Sequence, residues 1–225
     1  MSAAVVRGID EVLTTTRAVR KRLDLERPVP RELLAECVTI AQQAPVAENA
    51  EVCRFLAIDD PELRAGVADV YRRATEDFVL TPMRRKAAER KERGVPERQR
   101  DPRMGRILES AFFLREHLHE VPLLVLAGSV DRAPREPLGA FASGFYGSVY
   151  PAVWSLELAL RARGLGSSLT CIHLHYEDDV ARLLSLPDTF HQVALLPVAY
   201  TLGLDFKPAP RLPTEDVLHW NMWHA

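Results

Sequence analysis

Four short apolar runs constrain this chain most: "CRFLAI" (53–58), "PLLVLAGS" (122–129), "SSLTCI" (167–172) and "HQVALLPVAYT" (191–201). Each is bounded by turn or charged residues and is too short for a buried helix. The apolar residues run on without the polar alternation of a strand that has one wet face. Strands of this kind are buried on both faces, so helices must cover the sheet on both sides. The chain has 225 residues, 47% hydrophobic and 27% charged, which is enough for one sizeable core.

The segments between the runs read as helices. Residues 5–14 suit a short one, and "TTTRAVRKRL" after it reads as extended or irregular. Leu33, Leu34, Cys37, Ile40, Ala41 and Ala44 recur at helical spacing, so 31–44 is a helix started after Pro30 and stopped by Pro45. Asp60 caps a helix opened by Pro61, and another runs through Ile107, Phe112, Phe113 and Leu118. A long apolar helix over 140–163, Pro151 notwithstanding, ends at Gly164, and 176–186 forms a last one. The tail, 203–225, carries prolines, a helical turn and two tryptophans. The architecture expected is a single α+β domain over 1–225, with a charged cap excursion at about 81–106.

Composition excludes several function classes. A net charge of -2 leaves no global footprint for nucleic acid. Cys37, Cys53 and Cys171 are far apart and form no CxxC pair, which fits a reducing, cytoplasmic setting. No apolar stretch is long enough to span a membrane, and "MSAAVVRGIDEVL" lacks a signal-peptide core. There is no GxGxxG after a strand, no P-loop and no GxSxG. An enzyme built this way would leave its chemistry to a cofactor.

Three clusters are candidate sites. Arg17, Arg20 and Arg22 could capture an anion through their guanidinium forks, or form a solvated basic turn. Arg211 stands among prolines in the tail. Residues 84–106 hold ten Lys/Arg against four Asp/Glu, yet lack aromatics to stack on bases, so a salt-bridged cap is the better reading. On a strand, His173 and His175 would share a face as two metal ligands might, but no third ligand is spelled out.

Taken in order, three stretches resemble the FMN-dependent nitroreductase-like oxidoreductases. They are "TTTRAVRKRLDLERPVP", "AQQAPVAENAEVCRF", and "SLELALRARGLGSSLTCIHLHYEDDVARLLSLP" with "VALLPVAYTLGLDFKPAPRLP". Within the family, the wording of "GSVYPAVWSLELA" and "VALLPVAYTLG" is most similar to an actinobacterial-type branch. The resemblance implies a mostly antiparallel central sheet flanked by helices, in an intertwined homodimer with FMN at the interface. It implies that Arg17, Ala18 (through its backbone) and Arg20 face the phosphate side or the N1/O2 edge of the flavin, with Arg211 closing from the tail. Pro45, Val46 and Asn49 would reach the flavin from the partner subunit, and Leu169, Thr170 and Cys171 would run along its ring.

The implied activity is ping-pong: NAD(P)H reduces FMN, leaves, and a small nitroaromatic, quinone or related acceptor takes its place. The sequence also departs from the family pattern. Thr16, Ala18, Val46, Glu51, Val52, Cys53 and Ala209 replace an arginine, two serines, glutamine, proline, tryptophan and lysine. These departures motivate a second reading, a flavin-binding protein of weak activity that stores or senses.

Overall fold

The computed structural model describes residues 8–93, 102–130 and 139–223. Four strands form one sheet in the order β1–β2–β4–β3: β1 Cys53–Ile58, β2 Leu123–Ser129, β3 Leu165–Ser167 and β4 His191–Tyr200. Every pairing within it is antiparallel. The helices are α1 Ile9–Thr15, α2 Arg31–Ala41, α3 Pro61–Thr75, α4 Thr81–Glu92, α5 Pro102–His117, α6 Gly139–Ala162 and α7 Glu177–Leu183.

The sheet is covered on both faces, as the unbroken apolar runs require. Leu123, Val125 and Ala127 of β2 pack with Leu196 and Val198 of β4 against Leu34, Cys37 and Ala41 of α2 and Val153, Leu156 and Leu160 of α6. The intervening residues Leu124, Leu126, Leu195 and Ala199 turn to the other face, against Val67, Ala68 and Tyr71 of α3, Leu114 of α5 and Val180 of α7. Strands β2 and β4 therefore each feed two cores, and their burial is nearly complete.

The ladder between β2 and β4 is interrupted once. Ala127 pairs with Ala194 and Gly128 with Gln192, which leaves Val193 as the extra residue of a bulge. Gly128 sits at the tightest point. A Cβ there would lie 2.2 Å from the His191 carbonyl oxygen and 2.6 Å from the Phe190 ring.

Several local signals act as the sequence reading expects. The Asp60 carboxylate accepts the amides of Glu62 and Leu63, both at 2.9 Å, and Pro61 opens α3. Helix α2 ends earlier than the reading over 31–44, at Ala41. The amides of Gln43 and Ala44 then donate to Ile40 and Ala41, three residues back, so the chain tightens before reaching Pro45.

After α3 a five-residue π turn, Glu76–Leu80, carries the chain directly into α4. The Glu76 carboxylate holds that turn between Arg84 and Arg115. Helix α4 has no buried residue and pairs Arg85 with Glu89 along its own surface. Residues 94–101 of the expected cap lie outside the described residues.

The strand expected over 167–172 is corrected. Only Leu165–Ser167 pair along β4; the chain leaves the sheet edge at Ser168 and meets β4 again at a single bridge, Thr170 with Leu195. Ile172–Tyr176 then wind into a 3-10 turn.

Candidate functional site

The basic strip after α1 is an added edge of the sheet. Ala18 bridges Ser167 in parallel, the Val19 amide donates to the Ser167 carbonyl at 2.8 Å, and Leu23 bridges Thr201. Gly166 permits this approach, since a Cβ there would lie 2.9 Å from that of Val19. Arg17, Ala18 and Arg20 thus lie beside the turn that carries Leu169, Thr170 and Cys171. The tail joins them: Arg17 Nε donates to the Lys207 carbonyl at 2.8 Å.

The arginines divide by partner. Arg22 is a clamp: its Nε donates to the Leu202 carbonyl at 2.9 Å, its guanidinium pairs with Asp205, and it lies over the ring of Phe206. Arg161 covers Phe206 as well and donates to Leu204, so this arm of the tail is fixed to the body. Arg17 and Arg20 are different. Among the described residues, neither is paired with a carboxylate. Arg20 is half-buried and its charge acts on the hydroxyl of buried Tyr71, which lies 3.4 Å from Thr170 Oγ1. Arg211 is exposed and donates to its neighbour's carbonyl, that of Pro210.

Thr16, at the position where the related pattern has an arginine, spends its hydroxyl on the Val12 carbonyl at 2.6 Å.

Pro45, Val46 and Asn49 rest elsewhere, on α6. The Ala47 amide donates to Ser148 Oγ at 3.2 Å, and that hydroxyl donates to the Gly144 carbonyl. Glu48 and Asn49 both have left-handed backbone, with φ of 56° and 55°. For glutamate this is an uncommon conformation, of a kind that collects at functional segments. Next to this segment, α6 presents Tyr146, Tyr150 and Trp154 to the outside, one helical turn apart. Tyr150 reaches back to the strip: its hydroxyl hydrogen-bonds the Cys171 thiol, which donates to the carbonyl of the bulged Val193.

Burial disfavours the thiolate at all three cysteines. Burial pushes the thiols of Cys37 and Cys53 up to about 11 and raises that of Cys171. The two histidines are not a metal pair. His173 is fully buried while His175 is exposed and stacks on Phe78 with ring centres 3.9 Å apart. A 3-10 turn does not give the two-residue alternation of a strand. Among the described residues, no group of three metal-ligating side chains occurs.

Three residues here escaped the sequence reading: Tyr71, Tyr150 and Glu157. Glu157 accepts from Ser167 Oγ at 2.9 Å and from the Leu169 amide. A lone carboxylate in the apolar stretch 152–160 was its available signal.

The Nitroreductase family model matches residues 13–200, which is most of the chain. The chain belongs to the Nitroreductase family. Its fold, a layered α+β structure around an antiparallel sheet, is the nitroreductase-like one. It is 29% identical over 211 residues to the iodotyrosine deiodinase of Thermotoga neapolitana, across 92% of this chain and 94% of that one. A crystal structure of oxidized iodotyrosine deiodinase bound to FMN and 3-iodo-L-tyrosine superposes with a TM-score of 0.69 at 25% identity. The match covers 96% of this nitroreductase-family chain and 100% of that one. An FMN and NADPH-dependent nitroreductase, NfnB of Sphigopyxis sp. strain HMH, gives a TM-score of 0.64 at 21% identity, over 96% and 100% of the two chains, and supports the fold. Among the described residues, no helix is long and apolar enough to cross a membrane.

Proposed function

We propose that this protein is an FMN-dependent NAD(P)H oxidoreductase that reduces a small aromatic or quinoid acceptor. One observation carries the reading: the basic strip 17–20, the turn 167–171 and the tail at Lys207 converge on one sheet edge. The donor set there fits the cofactor. A phosphate monoester needs at least two charge-assisted partners, and among the described residues neither Arg17 nor Arg20 is paired with a carboxylate. Ser168 Oγ is buried without a hydrogen-bond partner at the same turn.

Arg17, with Arg211 from the tail, would hold the phosphate. Arg20 would lie at the edge where negative charge collects on reduction, and a fixed cation there favours the reduced state. The backbone of Leu169, Thr170 and Cys171 would line the ring, with Ala18 contributing through its backbone. FMN, when bound, supplies the redox chemistry, accepting hydride from NAD(P)H and passing electrons on. The protein's part is to bind, orient and exclude water.

Pro45, Val46 and Asn49 are proposed to act on the flavin of a second subunit. The exposed stripe Tyr146, Tyr150 and Trp154 supports a homodimer, as does the tail, where Trp220 is 74% and Trp223 80% exposed. Sedimentation should give a dimer mass for the flavin-loaded protein. A monomer mass would remove the interface from the site.

The deiodinase similarity over most of the chain favours including halogenated phenols beside nitroaromatics and quinones as acceptors. The test starts with a visible spectrum and an FMN titration. Uptake of FMN, bleaching by NADH or NADPH without oxygen, and reoxidation by an acceptor are expected. A protein that takes up no FMN would end this reading. FMN that neither nicotinamide bleaches would support the storage or sensing alternative.

Substitutions assign the phosphate site. Arg17→Ala should weaken FMN binding by roughly ten- to a hundredfold, the scale of a lost charge-assisted contact. Arg211→Ala should weaken it more than Arg22→Ala does, because Arg22 is already paired with Asp205. Equal effects at 211 and 22, measured by flavin fluorescence, would contradict the assignment.

A further inference from the structure

Glu157 is the one buried carboxylate among the described residues. It lies on α6 amid Val153, Leu156 and Leu160, in the core beneath the sheet. A carboxylate there has a desolvation cost that an apolar side chain would not have. Its two contacts are specific. Ser167 Oγ donates to it at 2.9 Å, and the Leu169 amide donates to it as well.

Those two donors bracket Ser168, the residue at which the chain leaves the sheet edge. Ser167 is also the residue that the basic strip grips, through its carbonyl and Val19. Thr170, one residue beyond, is pinned by two hydrogen bonds to Leu195, at 2.8 and 2.9 Å. One carboxylate from below therefore fixes the only stretch of the turn that the sheet does not hold. Ionised, it is purely an acceptor, matching two donors. Burial favours its protonated form, and the two donated bonds oppose this.

We propose that Glu157 is a positioning residue: it holds the Ser167–Thr170 turn in the shape that receives the flavin. This rests on the reading of the site as an FMN site. Glu157 touches neither cofactor nor acceptor; it acts through the Ser167 hydroxyl and the Leu169 amide.

The test compares Glu157→Leu and Glu157→Gln with the wild type in the full chain. Hydrogen exchange of the Leu169 amide is measured without flavin, and FMN affinity by fluorescence. Glu157→Leu should still fold, with thermal stability lowered modestly, since the buried Ser167 hydroxyl loses its acceptor. The Leu169 amide should exchange faster, and FMN affinity should fall roughly tenfold or more. Glu157→Gln, which keeps one acceptor oxygen, should lie between the two. A residue that only fills the core would leave exchange and affinity in the folded variants unchanged, and that result overturns the proposal.

If Glu157→Leu does not fold, Glu157→Gln decides in the same way: faster exchange with weaker FMN binding supports it, and no change in either overturns it. If the wild type itself takes up no FMN, the site reading fails, and the flavin part of this proposal falls with it. The exchange of Leu169 still decides whether Glu157 holds the turn.

Discussion

Gly128→Ala is expected to lower stability by about 3 kcal/mol or more, at the upper end of what an overpacked core position costs. The added methyl would meet the His191 carbonyl oxygen at 2.2 Å and the Phe190 ring at 2.6 Å. The first neighbour is backbone, on the adjacent strand of the central ladder, so no rotamer change relieves it. Relief requires β2 and β4 to separate at the bulge, and that motion has a functional consequence. Val193 is the bulged residue, and its carbonyl accepts the Cys171 thiol. Strain at Gly128 should therefore pass to the turn at 169–171. Urea denaturation measures the first effect and FMN affinity of the folded fraction the second. A variant as stable as wild type would mean that the two strands are not fixed against each other here.

The fold was legible because its dominant signal is local. Unbroken apolar runs required a sheet covered on both sides, and β2 and β4 do feed two cores. Pro30, Asp60 and Gly164 marked helix ends that depend on nearby backbone alone. The run "SSLTCI" failed as a strand for a non-local reason. Ser167 still pairs with β4, but beyond it the chain turns from the sheet toward α6, where the Glu157 carboxylate, ten residues back, accepts the Ser167 hydroxyl. No pattern within the run itself could announce that. The histidines failed with it, because their two-residue spacing meant a shared face only on a strand.

The site was legible in part. The strip 17–20 and the turn 169–171 are far apart in the chain, and their meeting depends on the Ala18–Ser167 bridge. Family wording supplied that pairing; periodicity could not. Arg22 and Arg20 look alike in sequence, and only the fold separates them, by giving Asp205 and Phe206 to one and Tyr71 to the other. Tyr71 and Tyr150 were hidden because a helical tyrosine reads as core or surface until the position of its hydroxyl is known.

Acid should destabilise this protein through His173. The side chain is fully buried, and neither ring nitrogen has a hydrogen-bond partner. Burial lowers its pKa from 6.5 to about 4. Between those values the unfolded chain takes up a proton that the folded chain refuses, so stability falls as pH falls. The contribution is intact above pH 6.5, is lost progressively on the way down to about pH 4, and levels off below that. At pH 5 the loss should reach about 2 kcal/mol, from 1.36 kcal/mol per pH unit over the interval below 6.5. Glu157 works in the opposite direction, because its raised pKa favours the folded state as pH falls. A bare pH profile therefore mixes the two. The comparison that isolates His173 is His173→Leu against wild type, by urea denaturation at pH 7.5 and pH 5. Leucine fills a similar space and has no proton to refuse. The stability gap between the two proteins should widen toward acid by about 2 kcal/mol. A gap that stays constant would mean that the ring meets water or a partner in solution, and that the Ile172–Tyr176 turn next to the proposed flavin-lining segment opens more readily than its burial implies.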